Sequence, residues 1–236
     1  VRAHGSRPAA LPPGTTILLA RHGERIDDFE MAQGRLWVPS AETPWDPELT
    51  DRGWQMASAL GLAVARHLER LGLPALSRVF SSPFVRCFET AVGVARENRL
   101  DSVCVEPSLS ESFCEFFYRS WSLPNANGVW GGPEGCGIGA PVDRDGLRPA
   151  ARSPASQLLP PERFERVDSM AVKPDGTYKP LLPLADLKYQ WDDFETEELL
   201  SARMRRFFDF VAEAFPGETV ILISHGGPLK ALVESL

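Results

Sequence analysis

The chain has 236 residues, of which 43% are hydrophobic and 24% charged, proportions typical of one large globular domain with a substantial core. Its net charge of −7 disfavours binding to nucleic acids or anionic membranes, because both would be repelled by an acidic surface. No apolar run approaches the roughly 20 residues needed to cross a bilayer, and the four cysteines lack the paired spacing of a zinc site.

Residues 1–14 lack the apolar core of a signal peptide and are predicted to form a flexible tail. Residues 15–236 are predicted to form a single domain that opens with a strand over the apolar run before Arg21. The polar residues 27–47 are predicted to form a loop that folds over the end of this strand. Thr50 and Gly72 have the residue types of an N-cap and a C-cap for a helix with apolar residues at helical spacing.

Strands and helices then alternate along the chain. The next strand is predicted at 79–80, a helix at 84–97, a strand at 102–105, a helix at 195–215 and the last strand after Pro216-Gly217, ending at Ser224. Residues 119–161 are rich in glycine, proline and serine and are predicted to be a long insertion, with a helix resuming at 161–169. The alternation predicts an α/β fold with a mainly parallel central sheet and helices on both faces.

Two of these strands run directly into a histidine that precedes a glycine. His22 follows the first strand and is flanked by Arg21 and Arg25, His225 follows the last strand, and Arg86 follows the strand at 79–80. Because the carboxyl ends of parallel strands meet at one edge of a sheet, these five side chains are expected to surround one ligand.

The residue types at this edge indicate phosphoryl chemistry. The guanidinium groups of Arg21, Arg25 and Arg86 match phosphate oxygens bidentately. A neutral imidazole can attack phosphorus, and neighbouring cations favour the neutral form of His22. The basic residues Arg203, Arg205 and Arg206 lie on an amphipathic helix beside acidic residues and are predicted to form ordinary surface ion pairs.

These motifs, in this order, resemble the histidine phosphatase (phosphoglycerate mutase-like) superfamily. The similarity is greatest to the phosphatase domain of the ubiquitin-associated and SH3 domain-containing proteins, suppressors of T-cell-receptor signalling. The motifs that carry it are Arg21-His22-Gly23-Glu24-Arg25 with Asp27, Leu49-Thr50-Asp51-Arg52-Gly53, Ser81-Ser82-Pro83 with Arg86 and Thr90-Ala91, Val105-Glu106-Pro107 with Glu111, Tyr178 to Leu184, and Ser224-His225-Gly226.

The resemblance implies a phosphatase that forms a phosphohistidine at His22 and needs no metal ion or other cofactor. It implies that His225 donates a hydrogen bond to the phosphoryl group and that Glu111 is the general acid, with Glu106 and Glu115 as competing candidates. Family members carry more chain beyond the second histidine, so the short segment after His225 leaves open a truncated or a trimmed C-terminus.

The substrate stays open between a phosphotyrosine protein and a small phosphorylated metabolite. A phosphoglycerate mutase or sugar bisphosphatase is disfavoured, because mutases carry serine where this chain has Arg25 and asparagine where it has Asp28, whose charge would repel a second phosphate. A phosphate-binding pseudoenzyme is the remaining alternative. We expect a cytoplasmic protein with reduced thiols and a phosphorylated substrate, without a nucleic-acid or membrane partner, and we leave open a homodimer.

Overall fold

The computed structural model describes residues 14–37, 41, 46–112, 172–181 and 195–236. Within these ranges, five strands form one parallel sheet in the order β1-β5-β2-β3-β4. The strands are β1 (Thr16–Arg21), β2 (Leu76–Ser81), β3 (Ser102–Val105), β4 (Lys173–Pro174) and β5 (Thr219–Ser224). The predicted α/β class with a mainly parallel sheet is confirmed.

Helices cover both faces of this sheet. The helices of the described ranges are α1 (Ile26–Ala32), α2 (Asp51–Leu71), α3 (Val85–Glu97), α4 (Glu197–Ala214) and α5 (Gly226–Ser235), with a 3₁₀ turn at Pro107–Leu109. Ile221 and Ile223 of β5 belong to the core under α2 and α3, whereas Val220 and Leu222 belong to the core under α4 and α5. Alternate residues of a strand point to opposite faces, so the central strand β5 is buried on both and reads as one apolar run.

Both ends of α2 follow the local chemistry that the sequence predicts. The Thr50 hydroxyl accepts a hydrogen bond from the backbone N–H of Gly53 at 2.9 Å, as an N-cap does. Gly72 ends the helix in the left-handed region, with φ of +63°.

The loop predicted at residues 27–47 is partly wrong, because its first residues form α1. This helix has no buried residue, so it leaves no hydrophobic period in the sequence. It is held instead by ion pairs from Arg25 to Asp27 and Asp28 and from Arg35 to Glu30. The predicted tail, the insertion at 119–161 and the helix at 161–169 lie outside the described residues, apart from Gly14.

In the described part of the chain, no helix combines the length and the apolar character that a membrane span requires. The single-domain prediction for residues 15–236 stays a prediction.

Candidate active site

The carboxyl ends of β1, β2 and β5 lie side by side and deliver the candidate residues to one edge of the sheet. The backbone N–H of His22 donates to the carbonyl of Ser224 at 3.1 Å, and that of Ser82 donates to the carbonyl of Ile223 at 2.9 Å. These two bonds continue the strand pairing by one residue into the loops, so that the first residues after the strands keep the spacing of the sheet.

The ring of His22 is held with one nitrogen ready to react. The side chain is 7% exposed, and its Nδ1 lies 2.8 Å from the carbonyl oxygen of Gly23. A carbonyl oxygen can only accept, so Nδ1 carries the proton and donates this hydrogen bond. The lone pair of the neutral ring is therefore on Nε2, the atom that a nucleophilic attack requires.

The environment of His22 keeps its ring neutral. The pKa of His22 is lowered to about 3: burial contributes most and the charge of Arg86 comes next, with smaller contributions from Arg25 and Arg21, while the hydrogen bond to Gly23 acts in the opposite direction. At neutral pH the ring is thus unprotonated and available as a nucleophile, in the direction that the arginines predict from the sequence.

His225 lies directly beside it, with the two ring centroids 5.4 Å apart. The side chain is fully buried; its Nε2 is 2.8 Å from the Ser82 hydroxyl and its Nδ1 is 3.2 Å from the guanidinium of Arg86. A guanidinium only donates, so Nδ1 accepts and Nε2–H donates to Ser82. Burial, with the charge of Arg86 next, holds the pKa of His225 well below its usual range.

The three predicted arginines have different surroundings. Arg86 is 1% exposed, with its guanidinium carbon 4.5 Å from the ring centroid of Phe84. Arg21 is exposed, and its guanidinium lies next to Gly226, where an added Cβ would be 3.8 Å from the Arg21 Nε. Arg21 therefore lies beside the first turn of α5, and Arg86 contacts His225, the residue that precedes this helix.

Arg25 is committed to carboxylates in this structure. Its Nε and one terminal nitrogen hold both oxygens of Asp27 at 2.9 and 2.8 Å, and that terminal nitrogen also lies 2.9 Å from Asp28. The charge of Arg25 still acts on His22, whose pKa it lowers. The structure thus brings Arg25 near the histidines but directs its donors to α1.

Glu111 is the acidic side chain placed at the histidines. It follows the 3₁₀ turn, and its Oε2 lies 3.6 Å from Nδ1 of His225 with the side chain 13% exposed. Glu106, the first competing acid, is fully buried, and its carboxylate accepts hydrogen bonds from the Ser108 N–H and the Tyr178 hydroxyl. Glu106 therefore anchors the polypeptide, and Glu115 lies outside the described residues.

Residues 17–124 match the model of the histidine phosphatase superfamily (branch 1). This part of the chain, a little under half of its length, is thus similar to the histidine phosphatase superfamily. A solved ecdysone phosphate phosphatase from Bombix mori, in complex with tungstate, has the same fold, with a TM-score of 0.54 and 22% identity over 93% of this chain and 76% of that chain. This agreement confirms the phosphoglycerate mutase-like fold.

Two mycobacterial proteins are similar to this chain along most of its sequence. One is a bifunctional protein of Mycobacterium tuberculosis (strain ATCC 25618 / H37Rv), and the other is an uncharacterized protein of Mycobacterium bovis (strain ATCC BAA-935 / AF2122/97). Each is 25% identical over 221 residues, which are 93% of this chain and 43% of the relative. The chain thus spans less than half of the length of these relatives.

Two supporting side chains of this site had no role in the sequence-based prediction. The Thr90 hydroxyl accepts from the backbone N–H of Gly23 at 3.0 Å and donates to the carbonyl of Arg86 at 2.7 Å, which ties the first loop to α3. Asp46 is buried, accepts from the backbone N–H of Val85 at 2.9 Å and lies 3.7 Å from the Arg86 guanidinium. Thr90 belongs to the motif Ser81-Ser82-Pro83 with Arg86 and Thr90-Ala91. Asp46 lies in the predicted loop, where no neighbouring residue pattern indicates its role.

Gly23 is required by a close backbone contact. A Cβ added there would lie 2.7 Å from the carbonyl oxygen of Gly53 in the first turn of α2, and one added at Gly53 would meet the backbone of Glu24. Glycine at both positions lets α2 begin directly against the loop that carries His22. Contact with another backbone is thus sufficient reason for a glycine at position 23.

Among the described residues, no group of three or more histidine, cysteine, aspartate or glutamate side chains is arranged to hold a metal ion.

Proposed function

We propose that this chain is a phosphomonoester hydrolase that acts through a phosphohistidine at His22. The observation that carries the proposal is the protonation of this ring: Nδ1–H is fixed on the Gly23 carbonyl, and a low pKa keeps Nε2 unprotonated. A side chain that only binds phosphate has no need of an unprotonated nitrogen among cations. The similarity of residues 17–124 to the histidine phosphatase superfamily supports the same activity.

In the first step, Nε2 of His22 attacks phosphorus and a P–N bond forms as the bond to the leaving oxygen breaks. Glu111, in its protonated form, gives its proton to that oxygen, so that an alcohol leaves. Arg21 and Arg86 stabilise the charge on the equatorial oxygens. A phosphoryl dianion also competes with Asp27 for the guanidinium of Arg25.

Binding of the anion changes the protonation of His225. A phosphoryl group next to the ring compensates for the positive charge of Arg86, so it raises the pKa of His225 and favours a protonated Nδ1. Nδ1 then no longer accepts from Arg86, and the Nδ1–H and the Arg86 guanidinium both donate to phosphoryl oxygens. In the second step Glu111, now ionised, takes a proton from water, the water attacks phosphorus, and phosphate leaves the restored His22.

For the substrate we propose a phosphotyrosine protein, by resemblance to the phosphatase domain of the ubiquitin-associated and SH3 domain-containing proteins, or a small phosphorylated metabolite. The alternative of a mutase or sugar bisphosphatase is disfavoured by Asp28, a negative charge where a second phosphate would bind. Phosphorus NMR of the products separates these reactions, because a hydrolase releases phosphate whereas a mutase moves it to another position. The cytoplasmic location and a homodimer stay predictions.

The decisive experiment is to trap the phosphoenzyme from a radiolabelled phosphomonoester, with a chelator present to test independence from metal ions. We expect label that is stable to alkali and lost in acid, and that disappears in His22→Asn. The control is His67→Asn, which changes an exposed histidine of α2 and should keep the label. Label that persists in His22→Asn would refute the proposal, and saturable phosphate binding without label or turnover would establish the pseudoenzyme.

A further inference from the structure

Arg203 of α4 is largely buried, unlike the surface residue that the sequence predicts. Its side chain is 10% exposed, and its guanidinium forms a two-point ion pair with Glu195 through Nε at 2.6 Å and a terminal nitrogen at 2.8 Å. Such a pair fixes the plane of the guanidinium. The prediction of an ordinary surface pair is therefore wrong for Arg203, whereas Arg205 does form one, with Asp209 at 2.8 Å.

The remaining terminal nitrogen of Arg203 points at the segment that leads to the proposed general acid. It donates to the carbonyl of Ser108 at 2.5 Å and to that of Ser110 at 3.1 Å. Ser108 lies in the 3₁₀ turn Pro107–Leu109, and Ser110 immediately precedes Glu111. Carbonyls at the end of a helical turn lack partners within the turn, and here one cation holds two of them.

A second contact holds the same turn from the sheet. The Ser224 hydroxyl donates to the Leu109 carbonyl at 2.7 Å, at the end of the strand that carries His225. Three successive carbonyls of residues 108–110 are thus held, two of them by Arg203. The Glu111 carboxylate emerges from this segment with its Oε2 3.6 Å from His225.

We infer that Arg203 is a positioning residue for the general acid: by holding the carbonyls of Ser108 and Ser110 it places the Glu111 carboxyl beside His225. The inference rests on the proposed function, in which Glu111 protonates the leaving oxygen. A purely structural clamp would instead stabilise the protein without regard to which leaving group departs. Dependence on the leaving group separates the two roles.

The test compares kcat/KM for p-nitrophenyl phosphate, whose leaving group needs little protonation, with that for benzyl phosphate, whose leaving group needs a proton. The variant Arg203→Met keeps the apolar stem and removes the donors. We expect it to lose at least about tenfold more activity on benzyl phosphate than on p-nitrophenyl phosphate, since a general acid contributes about 10²–10⁴-fold. Arg203→Lys should recover part of this difference, because it restores a charged donor.

The matched control is Arg205→Met, on the same helix, which removes an ion pair and a hydrogen bond to the Ser235 carbonyl. It should change kcat/KM for both substrates by the same factor. In a Glu111→Gln background, Arg203→Met should produce no further difference between the substrates, since both act through one carboxyl group. If Arg203→Met does not fold, the milder variant Glu195→Gln replaces it. It should shift the ratio of the two kcat/KM values in the same direction.

The inference is overturned when wild type hydrolyses both substrates but neither Arg203→Met nor Glu195→Gln changes the ratio of the two kcat/KM values. Failure of the proposed function looks different, because wild type would then release no phosphate from either substrate and form no phosphoenzyme.

Discussion

The most direct physical test of the site is the pH dependence of folding in His22→Asn. The asparagine amide can replace Nδ1–H as the donor to Gly23, while the titrating ring is removed. In the folded protein the pKa of His22 falls from its ordinary value of 6.5 to about 3. The unfolded chain therefore binds the proton first, and its ring is charged at pH values where the folded ring is neutral.

The sign of the effect follows from this order. Above the unfolded pKa both states are neutral and His22 contributes nothing to the pH dependence, whereas below it the unfolded state gains protons and the free energy of unfolding falls. Below the unfolded pKa, His22 lowers the free energy of unfolding by about 1.4 kcal/mol for each pH unit. Between about pH 7 and about pH 5 this amounts to about 2 kcal/mol. The loss continues to grow until the pH reaches the folded pKa of about 3.

The assay is urea denaturation of wild type and His22→Asn at a series of pH values between about pH 7 and about pH 5. Carboxylates that titrate over this range contribute to both proteins, so the difference between them isolates His22. We expect wild type to lose about 2 kcal/mol more than the variant over the range. Equal losses in the two proteins would refute the assigned environment of His22.

Three further predictions concern the surroundings of the site. Gly53→Ala should destabilise the protein by about 1–3 kcal/mol in urea denaturation, because the new methyl group meets backbone, whereas Gly176→Ala, which has no atom within 4 Å of the added Cβ, should have little effect. Tyr178→Phe should cost about 1.5–3 kcal/mol in the same assay through the lost hydrogen bond to the Glu106 carboxylate; an unchanged midpoint would contradict this. The thiol of Cys87 should resist alkylation in the native protein and react in urea, as mass spectrometry of its peptide can show, since burial raises its pKa.

The parts of the fold that the sequence predicts are those with local causes. The strands before His22 and His225 are apolar runs that end abruptly, and burial on both faces produces that pattern wherever such a strand occurs. Thr50 and Gly72 cap α2 through contacts within their own turns. Because parallel strands end at one edge, the proximity of the two histidines also follows from the order of the elements.

The parts that the sequence does not predict depend on contacts between distant segments. Asp46 caps α3 from a loop some forty residues earlier in the chain, and no spacing rule connects the two. Arg203 and Arg205 lie two residues apart on one helix, yet Arg203 reaches the turn before Glu111, whereas Arg205 pairs with Asp209 and donates to the Ser235 carbonyl. A helical period tells which face is apolar, but it does not tell which polar residue meets another element.

The central position of β5 has a consequence for the order in which the protein folds. β1 and β2 are both paired with β5 and not with each other, so these early strands have no common neighbour until residues 219–224 have been synthesised. Parallel pairing over such a separation is slow, because a long stretch of chain must be closed before any contact compensates for the lost entropy. We therefore expect refolding to show a delay in which helices form early and turnover appears only when the last strand has docked.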